Sequence, residues 1–287
     1  MQDRFASPPR RVPFSLIVAT VLGRASQVGW FVFGFGMIFF WAFAWQADFS
    51  FVNFHGALQE VRGQVLRVEK TAASENRQTI YANHYAFSLA GTQHTGVSYA
   101  TGEQATVGGS VPIEYDPDDP AYSRISGMRR GMFGPAVLLV VLFPLVGGVI
   151  VAIALRSGVR RARLLRDGVF TTGQLTGKEA TNVRINKRRV YELTFAFQDR
   201  SGQPVEAKTR TNAPERLEDQ ANEPLLYDPN DPTRAYLLDE LPARPRVDSL
   251  GELQGRPVAA VFVTIIPLLV IGANVAFVLF KLGLLHR

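Results

Sequence analysis

At 287 residues the chain has room for about two ordinary domains, and 47% of its residues are apolar while only 20% are charged. The shortage of charge is confined to three uninterrupted apolar stretches, so the whole does not read as a soluble globule. The absence of cysteine excludes a disulfide framework, a thiolate metal site and a cysteine nucleophile, and the net charge of +6 sits beside the apolar stretches, which points to anionic lipid and away from nucleic acid.

Residues 1–27 carry Arg4, Arg10, Arg11 and Arg24 against the single Asp3, and read as a cytoplasmic segment. Within it Val12 to Gly23 is 12 residues long, too short to span, and reads as an interfacial helix or an extension of the first span. Residues 28–45 form the first span, 18 residues without a charge, holding Trp30, Trp41 and Trp45. Two of these tryptophans lie at its end, where an amphipathic ring suits the headgroup layer. Ala42-Phe43-Ala44 resembles a signal cleavage site, but a secretory signal usually runs to 15–30 residues and this one would need 44.

Residues 46–130 read as a small β-domain with strands at Gln64–Glu69, Ile80–Ala90, His94–Tyr99 and Val111–Tyr115. The second span, residues 131–155, carries Pro144 and Gly147-Gly148 at its centre, which predicts a kink and leaves a shallow re-entrant hairpin as the alternative. Residues 156–256 form a basic linker and a second β-domain, in which Tyr191, Leu193, Phe195 and Phe197 alternate with polar residues as in a half-buried strand. Lys187-Arg188-Arg189 reads as a solvated loop before that strand. The third span is 257–280, and residues 281–287 form the tail. Five arginines between Arg156 and Arg166 lie just after the second span, whereas residues 46–130 hold 7 basic and 9 acidic residues. The positive-inside rule then places the first β-domain outside the cell membrane and the second inside, although Arg129 and Arg130 pull the other way.

The two soluble segments are copies. Gly63-Gln64-Val65 matches Gly173-Gln174-Leu175, and the run from Tyr115 through Asp116, Pro117, Asp118, Asp119 and Pro120 matches Tyr227, Asp228, Pro229, Asn230, Asp231 and Pro232. The interval from glycine to tyrosine is 52 residues in one copy and 54 in the other. The fold class that follows is a membrane protein of α+β type: three transmembrane helices carrying two repeated small all-β domains, barrel-like or curled sheets.

A Gly-x-Val start, an aromatic strand, a glycine turn and a closing strand ending in Tyr-Asp-Pro-x-x-Pro resemble the domain-of-unknown-function 3592 family, small β-domains of bacterial membrane proteins flanked by apolar helices. The resemblance covers both soluble segments. It implies the fold and an inner-membrane setting, and supplies no activity or catalytic residue.

The acidic residues of the Tyr-Asp-Pro motifs lack the glycine bend and closing glutamate of a calcium loop, so Asp116 and Asp228 read as turn caps, with Pro117 and Pro229 fixing φ and Pro120 and Pro232 stopping the strand. His55, His84, His94 and His286 show no metal-ligand spacing, and no catalytic elbow or phosphate loop occurs, so no catalytic, cofactor or metal residue is assigned and no cofactor is expected. Gly108-Gly109-Ser110 reads as a tight turn. Arg160, Arg161, Arg163 and Arg166, beside the membrane, serve as a topology anchor and as candidate contacts for anionic headgroups. Gly272 and Ala276 are spaced for close helix approach, and Asn274 is the only strongly polar residue of the spans. The functional expectation is a non-catalytic scaffold or regulator presenting its β-domains to membrane or envelope proteins, or self-associating through its spans. The alternative is a membrane-anchored enzyme or signalling component, which a pocket gathering His84, His94 and carboxylates would favour.

Overall fold

The computed structural model describes residues 5–54 and 57–284 and divides into two compact units, residues 34–145 and residues 1–33 together with 146–287. The helices are α1 (Phe14–Val21), α2 (Arg24–Ala42), the single turn α3 (Ser50–Asn53), α4 (Leu142–Asp167) and α5 (Pro257–Lys281). A 3₁₀ turn at Ala44–Gln46 extends α2, and another at Pro135–Val141 leads directly into α4. The resulting helical runs of 23, 33 and 25 residues are long and apolar enough to cross a membrane. Little of these runs is buried within the protein.

The second run contains no reversal. Pro144 falls in the first turn of α4, where its missing N–H has no intrahelical partner to lose, and Gly147-Gly148 continue as regular helix. The helix also outlasts the apolar stretch by 12 residues, so Arg156 to Arg166 are helical and the strand that follows begins at Val169.

Each unit contains one five-stranded antiparallel sheet. In residues 34–145 the strands are β1 (Gln59–Glu75), β2 (Gln78–Leu89), β3 (Thr92–Thr101), β4 (Ser110–Tyr115) and β5 (Ser123–Ile125), in the order β3-β2-β1-β4-β5. In the other unit they are β6 (Val169–Ile185), β7 (Arg188–Gln198), β8 (Pro204–Thr211), β9 (Glu223–Asp228) and β10 (Asp231–Leu237), in the equivalent order β8-β7-β6-β9-β10. The duplication reaches single residues. Gly63 pairs with Phe87 and Gln64 with Ala86, as Gln174 pairs with Ala196, and both long strands bulge after Val65 or Leu175 and after Lys70 or Ala180. At the second bulge the Thr71 hydroxyl donates to Ile80 O at 2.7 Å and the Thr181 hydroxyl to Val190 O at 2.8 Å. The hairpin tips Asn76-Arg77 and Asn186-Lys187 all have positive φ, as a two-residue type I′ turn requires. Arg188 and Arg189 are therefore strand residues, and the basic knot at 187–189 is a hairpin tip and the start of β7.

The sheets are curled and do not close into barrels. Bulges bend the central strand and increase its twist, which brings edge strand β3 across β5. Ser98 Oγ accepts the Ile125 N–H at 2.8 Å, and Tyr99 exchanges two backbone hydrogen bonds with Arg129, but no ladder joins the two edges among the described residues. In the first sheet the edge strand β5 is only 3 residues long and offers few backbone groups to pair.

The repeated glycine has a steric cause. A Cβ at Gly63 would lie 2.7 Å from the Ile113 side chain, and one at Gly173 would lie 2.7 Å from Leu225. Ile113 and Leu225 are fully buried and cross the central strand at that point. Tyr85, Phe87 and Tyr115 pack with Ile113 in one core, and Phe195, Phe197 and Tyr227 with Leu225 in the other. The Tyr-Asp-Pro segments form the β4–β5 and β9–β10 turns. Asp116 accepts from the Asp118 N–H at 3.0 Å, and Asp228 from the Asn230 N–H at 2.9 Å. Pro232 sits inside β10, so it starts the return strand where a strand stop was expected.

The outer face of the second sheet is covered by helices of its own unit. Leu226 and Phe170 meet Leu16 of α1 and Leu164 and Leu165 of α4. Arg10 is buried there, donating to Leu165 O at the C-terminal end of α4, where a cation is favoured. Close approach of α2 and α4 is permitted by glycines: a Cβ at Gly147 would lie 2.3 Å from Phe33 N, and one at Gly29 would lie 2.8 Å from Val151 N. Gly272, by contrast, faces open space.

Candidate functional site

One hollow lies within the unit formed by residues 1–33 and 146–287. It is an open-sided groove of about 660 Å³ between the α1–α2 elbow, the second β-domain and the start of α5. That volume is in the range of small-molecule sites. Its floor is made by the elbow itself, where Gly23 lies against Pro242 with no room for a Cβ.

The lining combines apolar residues of the three long helices, Val28, Ala154, Ala259 and Val263, with Arg24, Arg161, Arg210, Arg216 and Arg244 and with Asp239 and Glu240. Arg210 pairs with Glu192 at 2.7 Å, and the Arg161 guanidinium stands 5.4 Å from the Tyr236 ring. Arg24, Arg161, Arg216 and Arg244 make no ion pair among the described residues. Five arginines against two carboxylates leave a positive excess. The N-terminal ends of α2 and α5 lie at the same groove and contribute the positive ends of their helix dipoles.

Two buried hydroxyls also line it. Thr20 and Ser26 are each 1% exposed, and neither hydroxyl has a hydrogen-bond partner among the described residues. A helical serine or threonine usually returns its proton to the preceding turn. A buried hydroxyl left unpaired costs about 1–3 kcal/mol, which a polar ligand atom in the groove would recover. Gln27 holds the wall in place, donating to Leu22 O at 2.9 Å and to Val263 O at 2.7 Å, so that α2 is tied to α5.

The structure separates arginines of α4 that are close in sequence. Arg160, Arg163 and Arg166 are exposed on one side of α4, with Arg166 paired to Asp167 at 2.9 Å. Arg161, on the opposite side, is half-buried and lines the groove. Tyr115 ends β4, Tyr227 and Asp228 end β9, Asp116, Pro117, Pro120 and Pro229 lie in the connecting turns, and Pro232 lies in β10. Asn274 donates within its own helix to Val270 O at 2.8 Å.

His84 and His94 are not brought together. His94 stands opposite Phe87 on the neighbouring strand and stacks on its ring at 5.3 Å, whereas His84 is three residues away on β2 and projects from the other face toward Glu69. Arg4, His55 and His286 lie outside the described residues. Among the described residues the groove is lined by no histidine, lysine or cysteine.

One cluster is not signalled by the sequence. Asp219, Glu223 and Asp239 converge in the second β-domain from a loop, the first residue of β9 and the turn after β10. Burial, reinforced by the charges of Asp219 and Asp239, pushes the Glu223 carboxyl up to about 7.

In comparison with known proteins, no family model and no curated protein matches this chain.

Proposed function

We propose that this chain is a non-catalytic, multi-pass protein of a bacterial inner membrane whose second β-domain, together with the inner ends of the spans, takes the headgroup of an anionic lipid. The observation that carries this reading is a groove lined both by apolar residues of the long helices and by five arginines. A lipid offers an acyl chain to the first and a phosphate to the second. Arginine suits the phosphate because its planar fork bonds two oxygens at once. Arg160, Arg163 and Arg166 add attraction to the membrane surface without headgroup selectivity.

On this reading the first β-domain stands on the opposite face of the membrane, available to protein or envelope partners, and the chain acts as a scaffold or regulator across the bilayer. The asymmetry of arginines about the second span and the unbroken helical run from Pro135 to Asp167 both support that orientation. The resemblance to the domain-of-unknown-function 3592 family fits the same setting. It rests on the Gly-x-Val and Tyr-Asp-Pro residues.

The test is native mass spectrometry of the purified full chain with phosphatidylglycerol or phosphatidylcholine. Selective retention of phosphatidylglycerol is expected. The triple variant Arg24→Gln/Arg161→Gln/Arg244→Gln removes three cations worth about 1 kcal/mol each, so retention falls by about 100-fold. Arg160→Gln/Arg163→Gln keeps the selectivity. Equal retention of both lipids, or a triple variant that binds as the parent does, rules the reading out.

A further inference from the structure

We infer that Asp219, Glu223 and Asp239 form a binding site for a hard divalent cation, which shares Asp239 with the groove described above. One oxygen from each carboxylate lies within 4.8 Å of the other two. Three atoms so placed all lie within about 2.8 Å of one common point, against 2.3–2.6 Å for calcium–oxygen bonds, so closing on an ion needs only a few tenths of an ångström.

Glu223 supplies the second, independent observation. It is 2% exposed, and its Oε2 has no hydrogen-bond donor among the described residues. Its Oε1 accepts the Gln220 N–H at 3.1 Å, which orients the carboxylate. The neighbouring carboxylates, those of Asp219 and Asp239, are themselves acceptors. Acceptors turned toward one another need a positive centre between them. A single proton can bridge one pair of oxygens but leaves the third carboxylate unmatched. A divalent cation matches all three. Asp219 and Asp239 are exposed, so water can complete the coordination shell, as magnesium and calcium both require.

The duplication makes the feature specific to one copy. Glu223 pairs with Gly173 as Val111 pairs with Gly63, so the first copy places valine where the second buries a carboxylate. The same fold therefore accommodates an apolar residue at this position. Retention of a buried glutamate in the second copy is accounted for by a ligand.

The experiment is isothermal titration of the full chain, in detergent at pH 7.5 after chelator treatment, with magnesium, calcium or manganese chloride. Saturable binding of one ion per chain is expected for at least one of these salts. Glu223→Val, which installs the residue of the first copy, should weaken it by at least about tenfold while preserving the thermal unfolding transition, and the exposed change Asp239→Asn should also weaken it. No binding of any of the three ions overturns the inference, and so does unchanged binding by a folded Glu223→Val chain. The lipid reading is tested on phosphatidylglycerol retention by arginine variants, so failure of one leaves the other standing.

Discussion

The same substitution at two glycines should have opposite effects. Replacing a helical glycine by alanine gains about 1 kcal/mol of helix propensity. At Gly272 a new Cβ meets nothing within 4 Å, so that gain is kept and Gly272→Ala should raise the unfolding midpoint. At Gly147 the new Cβ would stand 2.3 Å from Phe33 N and 2.6 Å from Phe33 Cα. Ordinary contact between such atoms is about 3.5–4.0 Å, and a backbone atom cannot rotate away, so α2 and α4 must separate by about 1 Å. Overpacking of that kind costs about 1–3 kcal/mol. Gly147→Ala should therefore be destabilising by about 1 kcal/mol net, and Gly147→Val by more. Detergent-solubilised chain can be unfolded with sodium dodecyl sulfate and followed by tryptophan fluorescence, since all three tryptophans lie on α2 or the turn that extends it. If both alanine variants shift the midpoint in the same direction, the assignment of the helix contact to Gly147 is wrong.

Two further expectations follow from the domains. Arg77 and Lys187 hold φ of 65° and 64° at the second position of their turns, so Arg77→Gly and Lys187→Gly should each stabilise by about 0.5 kcal/mol net. Amide hydrogen exchange in the two hairpins measures this, and effects of opposite sign would break the equivalence of the copies. Glu114 is partly buried, which alone would raise its pKa, but hydrogen bonds from Arg124 and Ser126 and the Arg124 charge outweigh burial and lower it. Its contribution to stability is thus present at neutral pH and is lost as pH falls from about 4.3 through the lower folded value. The destabilisation caused by Glu114→Gln should shrink toward zero over that interval, and a pH-independent difference would refute the ion-pair account.

Local signals were legible in the sequence to the extent that they are local. The spans announce themselves by unbroken apolar length, and the copies by Gly63 and Gly173 and by the Tyr-Asp-Pro turns, because a crossing core side chain and a tight hairpin each demand particular residues at particular places. The strands β1 and β6 extend well past their recognisable centres because bulges interrupt the alternation that marks a strand. The hairpin tips were hidden because arginine and lysine stand where glycine would have signalled positive φ. The closeness of Gly147 to Phe33 is not legible either, because the partner lies over 100 positions away. The groove and the acidic cluster draw on residues from several elements. Asp219 and Asp239 are 20 positions apart and carry no spacing that a ligand set would impose. Arg161 is separated from Arg160 by one peptide bond, yet the helix turns them about 100° apart, leaving Arg160 exposed and Arg161 half-buried.

The central claim, that two copies of one domain face opposite sides of a membrane, is tested by thiol labelling in intact cells. The chain has no native cysteine, and Ser74 and Ser201 are both exposed near strand ends. With an impermeant maleimide, Ser74→Cys should label in intact cells and Ser201→Cys only after permeabilisation. Labelling of both without permeabilisation, or of neither, would place the two domains on one side and contradict the account.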